Sequence, residues 1–128
     1  MQTVKEIMTP QVITIKASAS AAEAIALMRE NNIRDLIVEP VSQGNSYGML
    51  TETDIVYKVA ARGLNPINVP VGEIMTKPVI PIDPAMAVQD VARLFADNHI
   101  HRAPVIKENL LGIVTVFDII RETMWWRD

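Results

Sequence analysis

The amino-acid sequence predicts an α/β fold built from two β-α-β-β-α repeats, and three observations predict it. The segment Val4-Lys5-Glu6-Ile7-Met8-Thr9 returns 67 positions later as Val71-Gly72-Glu73-Ile74-Met75-Thr76. Inside each copy, short β-branched runs flank a stretch with helical periodicity. Each copy then reaches a glycine-led apolar strand that runs into Thr-x-x-Asp, once at Gly48 to Asp54 and once at Gly112 to Asp118. Self-similarity at a fixed period is the mark of a fold made by duplication.

The correspondence extends along the chain. At the same offset Val12, Ile13 and Ile15 match Val79, Ile80 and Ile82; Leu27 matches Leu94, Asn31 matches Asn98, Ile33 matches Ile100 and Val38 matches Val105. One loop differs in length, after which Gly48, Thr51, Asp54 and Ile55 match Gly112, Thr115, Asp118 and Ile119. The first repeat is assigned to residues 1–61, a linker containing Gly63, Pro66 and Pro70 to 62–70, and the second repeat to 71–128. A copy of roughly 60 residues buries too little surface for a comfortable core, so the two are expected to form one compact module.

Each element has its own signal. Val12-Ile13-Thr14-Ile15 reads as a strand, and its counterpart Val79-Ile80-Pro81-Ile82 carries a proline suited to an edge or a strand end. Ala21, Ala24, Ile25 and Met28 recur at helical spacing, as do Val88, Val91, Ala92 and Phe95. Ser20 with Glu23 supplies a capping box for the first helix, and Asp83-Pro84 an N-cap and first-turn proline for the second. Both helices are expected to end at an asparagine. Leu36-Ile37-Val38 and Ala103-Pro104-Val105-Ile106 are second strands, followed by a Gly/Asn/Ser loop and the third strands Gly48-Met49-Leu50 and Gly112-Ile113-Val114. A last helix begins near Thr53 in one copy and Val116 in the other.

Composition narrows the function. A chain of 128 residues leaves no room for a catalytic domain beside the repeats. Apolar residues are 49% and charged residues 21%, values that predict a packed core. A formal charge of −3 without a Lys/Arg run argues against nucleic-acid binding. With no cysteine there is no thiolate metal site, and no oxidising compartment is implied. No apolar run approaches a membrane span, and Gln2-Thr3-Val4-Lys5-Glu6 after Met1 does not resemble a signal peptide, so the expected location is the cytoplasm.

The motif with chemical content is G-h-h-T-x-x-D, where h is apolar, at a strand-to-helix junction. A helix start offers unpaired N–H groups and partial positive charge to an anion, and Thr51 or Thr115 adds a hydroxyl. Three residues on, Asp54 or Asp118 can accept hydrogen bonds from the two hydroxyls of a ribose. T-x-x-D is equally a helix capping box, and the residues alone leave both roles open.

Ile7-Met8-Thr9, Ile100-His101-Arg102-Ala103-Pro104-Val105 and the two T-x-x-D motifs resemble the cystathionine-β-synthase (CBS) domain family, paired as a Bateman module. The resemblance covers nearly the whole chain. It implies repeats packed through their sheets about a pseudo-two-fold axis, with two clefts that take AMP, ADP, ATP, S-adenosylmethionine or related ligands, and homodimers. Cleft A would join Met49, Thr51 and Asp54 to Val79, Ile80, Ile100, His101, Arg102 and Pro104. There Asp54 would hold the ribose, while Thr51, His101 and Arg102 would face phosphate and the apolar residues would bracket adenine. Cleft B would join Ile113, Thr115 and Asp118 to Val12, Ile13, Ile33, Arg34, Asp35 and Ile37. Since Asp35 stands where cleft A has Arg102, and a carboxylate repels phosphate, cleft A is the favoured site.

Other features take plainer readings. His99 and His101 have no companions to complete a metal site. Trp125 and Trp126 suit either a dimer partner or packing on their own lobe, and the methionines, Met49 apart, are core filler. No phosphate loop, nucleophile triad or catalytic carboxylate pair is present, so no enzyme activity and no required cofactor are expected. The expected function is a regulatory module that binds an adenosyl ligand and acts on a regulated protein the sequence does not identify, without membrane association. A dimerisation module with no physiological ligand is the alternative.

Overall fold

The computed structural model describes residues 2–10, 13–42, 46–77 and 79–122. Its contacts divide the chain into a middle unit, residues 13–79, and a terminal unit that unites residues 1–12 with 80–128. These spatial units are not the two sequence repeats. The opening segment of each repeat packs in the unit that holds the rest of the other repeat.

In the middle unit, β1 (Thr14–Ile15) leads to α2 (Ala21–Asn31), β2 (Asp35–Val38) and β3 (Gly48–Thr51). The sheet order is β1-β2-β3, with β1 parallel and β3 antiparallel to β2. Helix α2 starts where the sequence places it, because Ser20 accepts a hydrogen bond from the Glu23 N–H at 3.1 Å. It ends at Asn31, whose side chain donates to the Leu27 carbonyl at 2.9 Å. Asn32 follows with φ of 52°, a left-handed conformation that asparagine tolerates better than most residues. The buried stripe Ala21, Ala24 and Met28 packs with Ile15, Leu36, Val38 and Leu50. Helix α3 (Glu52–Ile55) begins one residue before the expected Thr53 and continues into a π-helical turn, Val56–Ala60. A 3₁₀ turn at Pro66–Asn68 then lies within the expected linker.

Helix α4 (Val71–Ile74) opens the second repeat in sequence but belongs to the middle unit. Val71 and Ile74 join its apolar core, and the Val71 and Gly72 N–H groups donate to the Ala19 and Ala17 carbonyls at 2.8 and 2.9 Å. Thr76 and Met49 then exchange two backbone hydrogen bonds of 2.8 and 2.9 Å along the edge of β3.

The terminal unit mirrors this arrangement. Helix α1 (Val4–Ile7) opens the first repeat but packs Val4 and Ile7 among Ile82, Val88, Val91, Phe95 and Val114. Thr3 and Glu6 form its capping box, and hydrogen bonds from the Thr3 N–H and hydroxyl hold the Glu6 carboxyl below its ordinary value. Thr9 and Ile113 exchange hydrogen bonds of 2.9 and 3.0 Å, as Thr76 and Met49 do. Helix α5 spans Val88–Asn98, β4 Arg102–Lys107, β5 Asn109–Thr115 and α6 Val116–Glu122. The two strands form an antiparallel hairpin, with an irregularity between Val105 and Ile106 and Glu108 at φ of 66° in the turn.

Several expectations need correction. Asp83-Pro84 does not start α5; Asp83 Oδ1 instead accepts the Ala85 N–H at 2.8 Å in a separate turn, and Ala87 occupies the N-cap. The N-cap position is the one set by the repeat, since Ala87 stands 67 residues after Ser20, and Asp83 lies four residues too early. In both copies the stretch before the helix is tied to an opening segment: Met86 and Pro84 accept from the Val4 and Lys5 N–H groups as Ala19 and Ala17 accept from those of Val71 and Gly72. The strand expected at Val79–Ile82 reduces to a single parallel bridge from Ile82 to Val105. Its counterpart is described only at Thr14–Ile15, since Val12 lies outside the described residues, as do loop residues 43–45 and Trp125-Trp126. Helix α5 does end at Asn98, with left-handed His99 where α2 has Asn32. Among the described residues no helix is long and apolar enough to cross a membrane.

Candidate functional site

Alternation along the strands separates each sheet into a core face and an opposite face. Leu36, Val38 and Leu50 enter the middle core, and Ala103, Val105 and Val114 the terminal core. The residues between them, Asp35, Ile37, Met49, Thr51, Arg102, Pro104, Ile113 and Thr115, therefore lie on the opposite faces. All eight are residues expected to bind a ligand. Strand register pairs them as Asp35 with Thr51, Ile37 with Met49, Arg102 with Thr115 and Pro104 with Ile113. Within each unit, then, every pair joins one residue expected in cleft A to one expected in cleft B. Register also sets an acidic neighbour beside Thr51 and a basic one beside Thr115, a juxtaposition that requires strand pairing to see.

The T-x-x-D motifs form the next layer. Asp54 and Asp118 are the buried polar or charged side chains among the described residues, 7% and 3% exposed. Asp54 Oδ2 accepts from the Thr51 N–H at 3.0 Å and the Thr51 hydroxyl at 3.2 Å, while Thr51 Oγ1 accepts the Asp54 N–H at 3.2 Å. Asp118 Oδ2 accepts the Thr115 N–H at 2.9 Å, and Thr115 Oγ1 accepts the Asp118 N–H at 3.1 Å. The capping role is thus realised in both copies. Each remaining oxygen meets a cation one turn on: Lys58 Nζ lies 3.0 Å from Asp54 Oδ1, and an Arg121 nitrogen 2.9 Å from Asp118 Oδ1. Arg121 also stacks over the Phe117 ring and bonds Glu122, the contact that chiefly raises its pKa.

These bonds reduce the number of donors that the helix starts offer to an anion. Besides the N–H groups of Thr51, Asp54, Thr115 and Asp118, those of Glu52 and Val116 are taken, by the Arg34 and His101 carbonyls at 3.0 and 2.9 Å. The carboxylates themselves are also available for chemistry. A carboxylate offers about four lone-pair directions, and the three donors on Asp54 leave one on Oδ1.

The other expected residues are dispersed. Ile13 and Ile33 lean on the middle core and Ile80 and Ile100 on the terminal core, while Val79 is half-buried. Arg34 and His101 are exposed, and Val12 lies outside the described residues. Among the described residues no group of three potential ligands of the His, Cys, Asp or Glu type could hold a metal.

Sequence reasoning missed a pair of open grooves between the long helix and the motif helix of each copy. The terminal groove, about 420 Å³, is lined by Phe95, Ala96, Ile100, Val116, Ile119 and Ile120 with His99 and His101 at its rim. The middle groove, about 330 Å³, is lined at matching positions by Met28, Arg29, Ile33, Glu52, Ile55 and Val56. Ala96 and Val116 stand where the first copy has Arg29 and Glu52, so the terminal groove lacks these two charged side chains.

A duplicated β-α-β-β-α chain with crossed opening segments and a T-x-x-D cap after each third strand defines a class of paired-repeat proteins. The chain belongs to the CBS-domain family, whose model matches residues 4–61 and 71–124. It is 36% identical over 120 residues to the CBS domain-containing protein YhcV of Bacillus subtilis, covering 93% of this chain and 84% of that protein. Other curated relatives are longer, the chain spanning 61% of one and 31% of another. Among solved structures it resembles the hexameric CBS-CP12 protein from bloom-forming cyanobacteria, with 49% identity, a TM-score of 0.93, and coverage of 98% of this chain and 70% of that one. It also resembles the CBS domain pair of MJ0100, solved with 5′-methylthioadenosine and S-adenosylmethionine, at 30% identity, a TM-score of 0.80, and coverage of 94% and 98%.

Proposed function

We propose that this CBS pair is a non-catalytic regulatory module that binds an adenine nucleotide or related adenosyl ligand and signals by a change of conformation or assembly. The observation that carries the proposal is the pair of buried carboxylates, Asp54 and Asp118, each on the strand-to-helix turn of one copy. Capping needs no charge, and both carboxylates, though partnered by their caps and a cation, keep a lone pair able to accept from a ligand hydroxyl. Retention of aspartate at both turns supports a demand beyond capping, and a vicinal ribose diol is suited to it. Support for the adenosyl class comes from the CBS domain pair of MJ0100, solved in complex with 5′-methylthioadenosine and S-adenosylmethionine.

The favoured binding set is that of cleft A: Met49, Thr51, Asp54, Val79, Ile80, Ile100, His101, Arg102 and Pro104. Asp54 takes the ribose, Met49, Ile80 and Pro104 the base, and Arg102 with His101 an anionic group. The set of cleft B (Val12, Ile13, Ile33, Arg34, Asp35, Ile37, Ile113, Thr115 and Asp118) carries Asp35 in place of Arg102 and suits a less anionic ligand. Occupancy shifts the module only in so far as the ligand binds two of its states with different affinity. Calorimetric titration with AMP, ADP, ATP, S-adenosylmethionine and NAD tests this reading; heats at the level of buffer for all five would overturn it.

We infer further that the module assembles as a homodimer through the apolar helix faces. Val116, Phe117 and Ile120 are 39%, 61% and 74% exposed, and Ile120 and Val116 continue into the terminal groove. Repetition of the groove at matching positions favours a self-complementary partner, and the CBS-CP12 relative is hexameric. Ile120→Asp is expected to lower the mass in light scattering from that of a dimer or larger species to that of a single chain. An unchanged oligomer would place the interface elsewhere.

A further inference from the structure

Lys58 has two partners, and they connect parts of the middle unit that the motif alone does not join. Its ammonium lies 3.0 Å from Asp54 Oδ1 and donates to the Ile74 carbonyl at 2.9 Å. Ile74 is the last residue of α4, where a carbonyl has lost its intrahelical donor and needs another. Immediately after it, Thr76 pairs with Met49 on the edge of β3, and the chain runs on toward Val79. One cation therefore holds both the carboxylate of the motif and the segment that leads to residues assigned to the base.

Among the described residues the second copy has no equivalent cation. At the position matching Lys58 stands Glu122, which cannot donate through its side chain, and the cation on Asp118 is Arg121, one residue earlier in the turn. Among the described residues Arg121 also meets Glu122 and the Phe117 ring, neither of them on the segment from Ile7 to Thr9. The two buried aspartates thus have similar caps and different reach. Burial makes the difference consequential: the Asp54 side chain is 10% exposed and that of Lys58 38%, so water screens this pair less than a surface ion pair.

We propose that Lys58 is a positioning residue that couples the state of the Asp54 carboxylate to the docking of residues 74–76. With Asp54 charged, the ammonium is fixed over the Ile74 carbonyl and the Thr76–Met49 bridge is closed. When the charge on Asp54 is removed, or a ligand hydroxyl draws on Oδ1, Lys58 loses its orientation and the segment loosens. Among the described residues this coupling is found in repeat 1, which distinguishes the two motifs by more than the Asp35 and Arg102 exchange. The ligand part of this inference rests on the function proposed above; the coupling itself does not.

Residue-resolved amide exchange of the full chain tests it, through a double-mutant cycle of Asp54→Asn and Lys58→Met read at the Thr76 N–H, which donates to the Met49 carbonyl. Each single change is expected to speed exchange at Thr76 by about threefold to tenfold, and the double change no more than either alone. Exchange within Ala21–Asn31 serves as the reference for global stability, and rates at Thr76 are taken relative to it. Independent, multiplying effects, or no effect of Lys58→Met, would overturn the coupling. AMP added to the wild-type chain is expected to alter exchange at Thr76 and to lose that effect in Lys58→Met. Absence of AMP binding would count against the proposed ligand while the mutant cycle still decides the coupling.

Discussion

Replacement of Gly112 by alanine is expected to destabilise the protein by about 3 kcal/mol, against about 1 kcal/mol for the matching change Gly48→Ala. Neither glycine has a positive φ, so the cost arises from space rather than backbone strain. A Cβ at Gly112 would collide with the Thr9 carbonyl oxygen, and Thr9 is held there by two hydrogen bonds to Ile113. Backbone on both sides has nowhere to move without breaking that bridge. At Gly48 the nearest atom is Met75 Sδ at 2.7 Å, the far end of a flexible side chain, with the Thr76 carbonyl at 3.2 Å. Methionine can turn aside. Urea denaturation of the two variants measures the difference, and equal losses would show that the crossed opening segments do not constrain the two turns as described.

Leu36→Ala is expected to cost about 3 kcal/mol, within the range for leucine removed from a closed core. Leu36 is fully buried in the central strand of the middle sheet and pairs across it with Leu50, also fully buried. The cavity left would be walled by the sheet itself and by α2, so collapse into it is limited. Leu27, half-buried at the edge of the same core, is expected to lose about 1 kcal/mol on the same substitution. A loss below 1 kcal/mol at Leu36 would contradict the packing of the middle unit.

The repeat, the long helices and the second and third strands were legible in the sequence because each leaves a periodic trace. Ser20-x-x-Glu23 set the start of α2 correctly, since the Ser20 hydroxyl does accept the Glu23 N–H, which is the half of the expected capping box that forms. Asp83-Pro84 carried a comparable signal and misled, because Asp83 caps a separate turn through the Ala85 N–H while the helix starts at Ala87, the counterpart of Ser20, which has no side-chain cap to announce it. Helices α1 and α4 have four residues each, too few to show a period, although Thr3-x-x-Glu6 does mark the first. The crossing of the opening segments rests on contacts between distant residues and leaves no local trace. At the site, sequence identified Thr51, Asp54, Thr115 and Asp118 but not which duty the aspartates perform, since one spacing serves both a cap and a diol. Lys58 escaped notice because its second partner, Ile74, is remote in sequence.

The central claim is that Asp54 serves a ligand as well as a helix. Calorimetric titration of AMP into the wild-type chain, Asp54→Ala and Asp118→Ala measures this directly, with urea midpoints confirming that each variant is folded. Both changes remove a cap, so both are expected to lose about 1–2 kcal/mol of stability. Affinity is expected to separate them: Asp54→Ala loses tenfold or more, on the order of 1.4 kcal/mol or greater, and Asp118→Ala loses less. Wild-type binding left intact by both changes would contradict the account, reducing each aspartate to its cap.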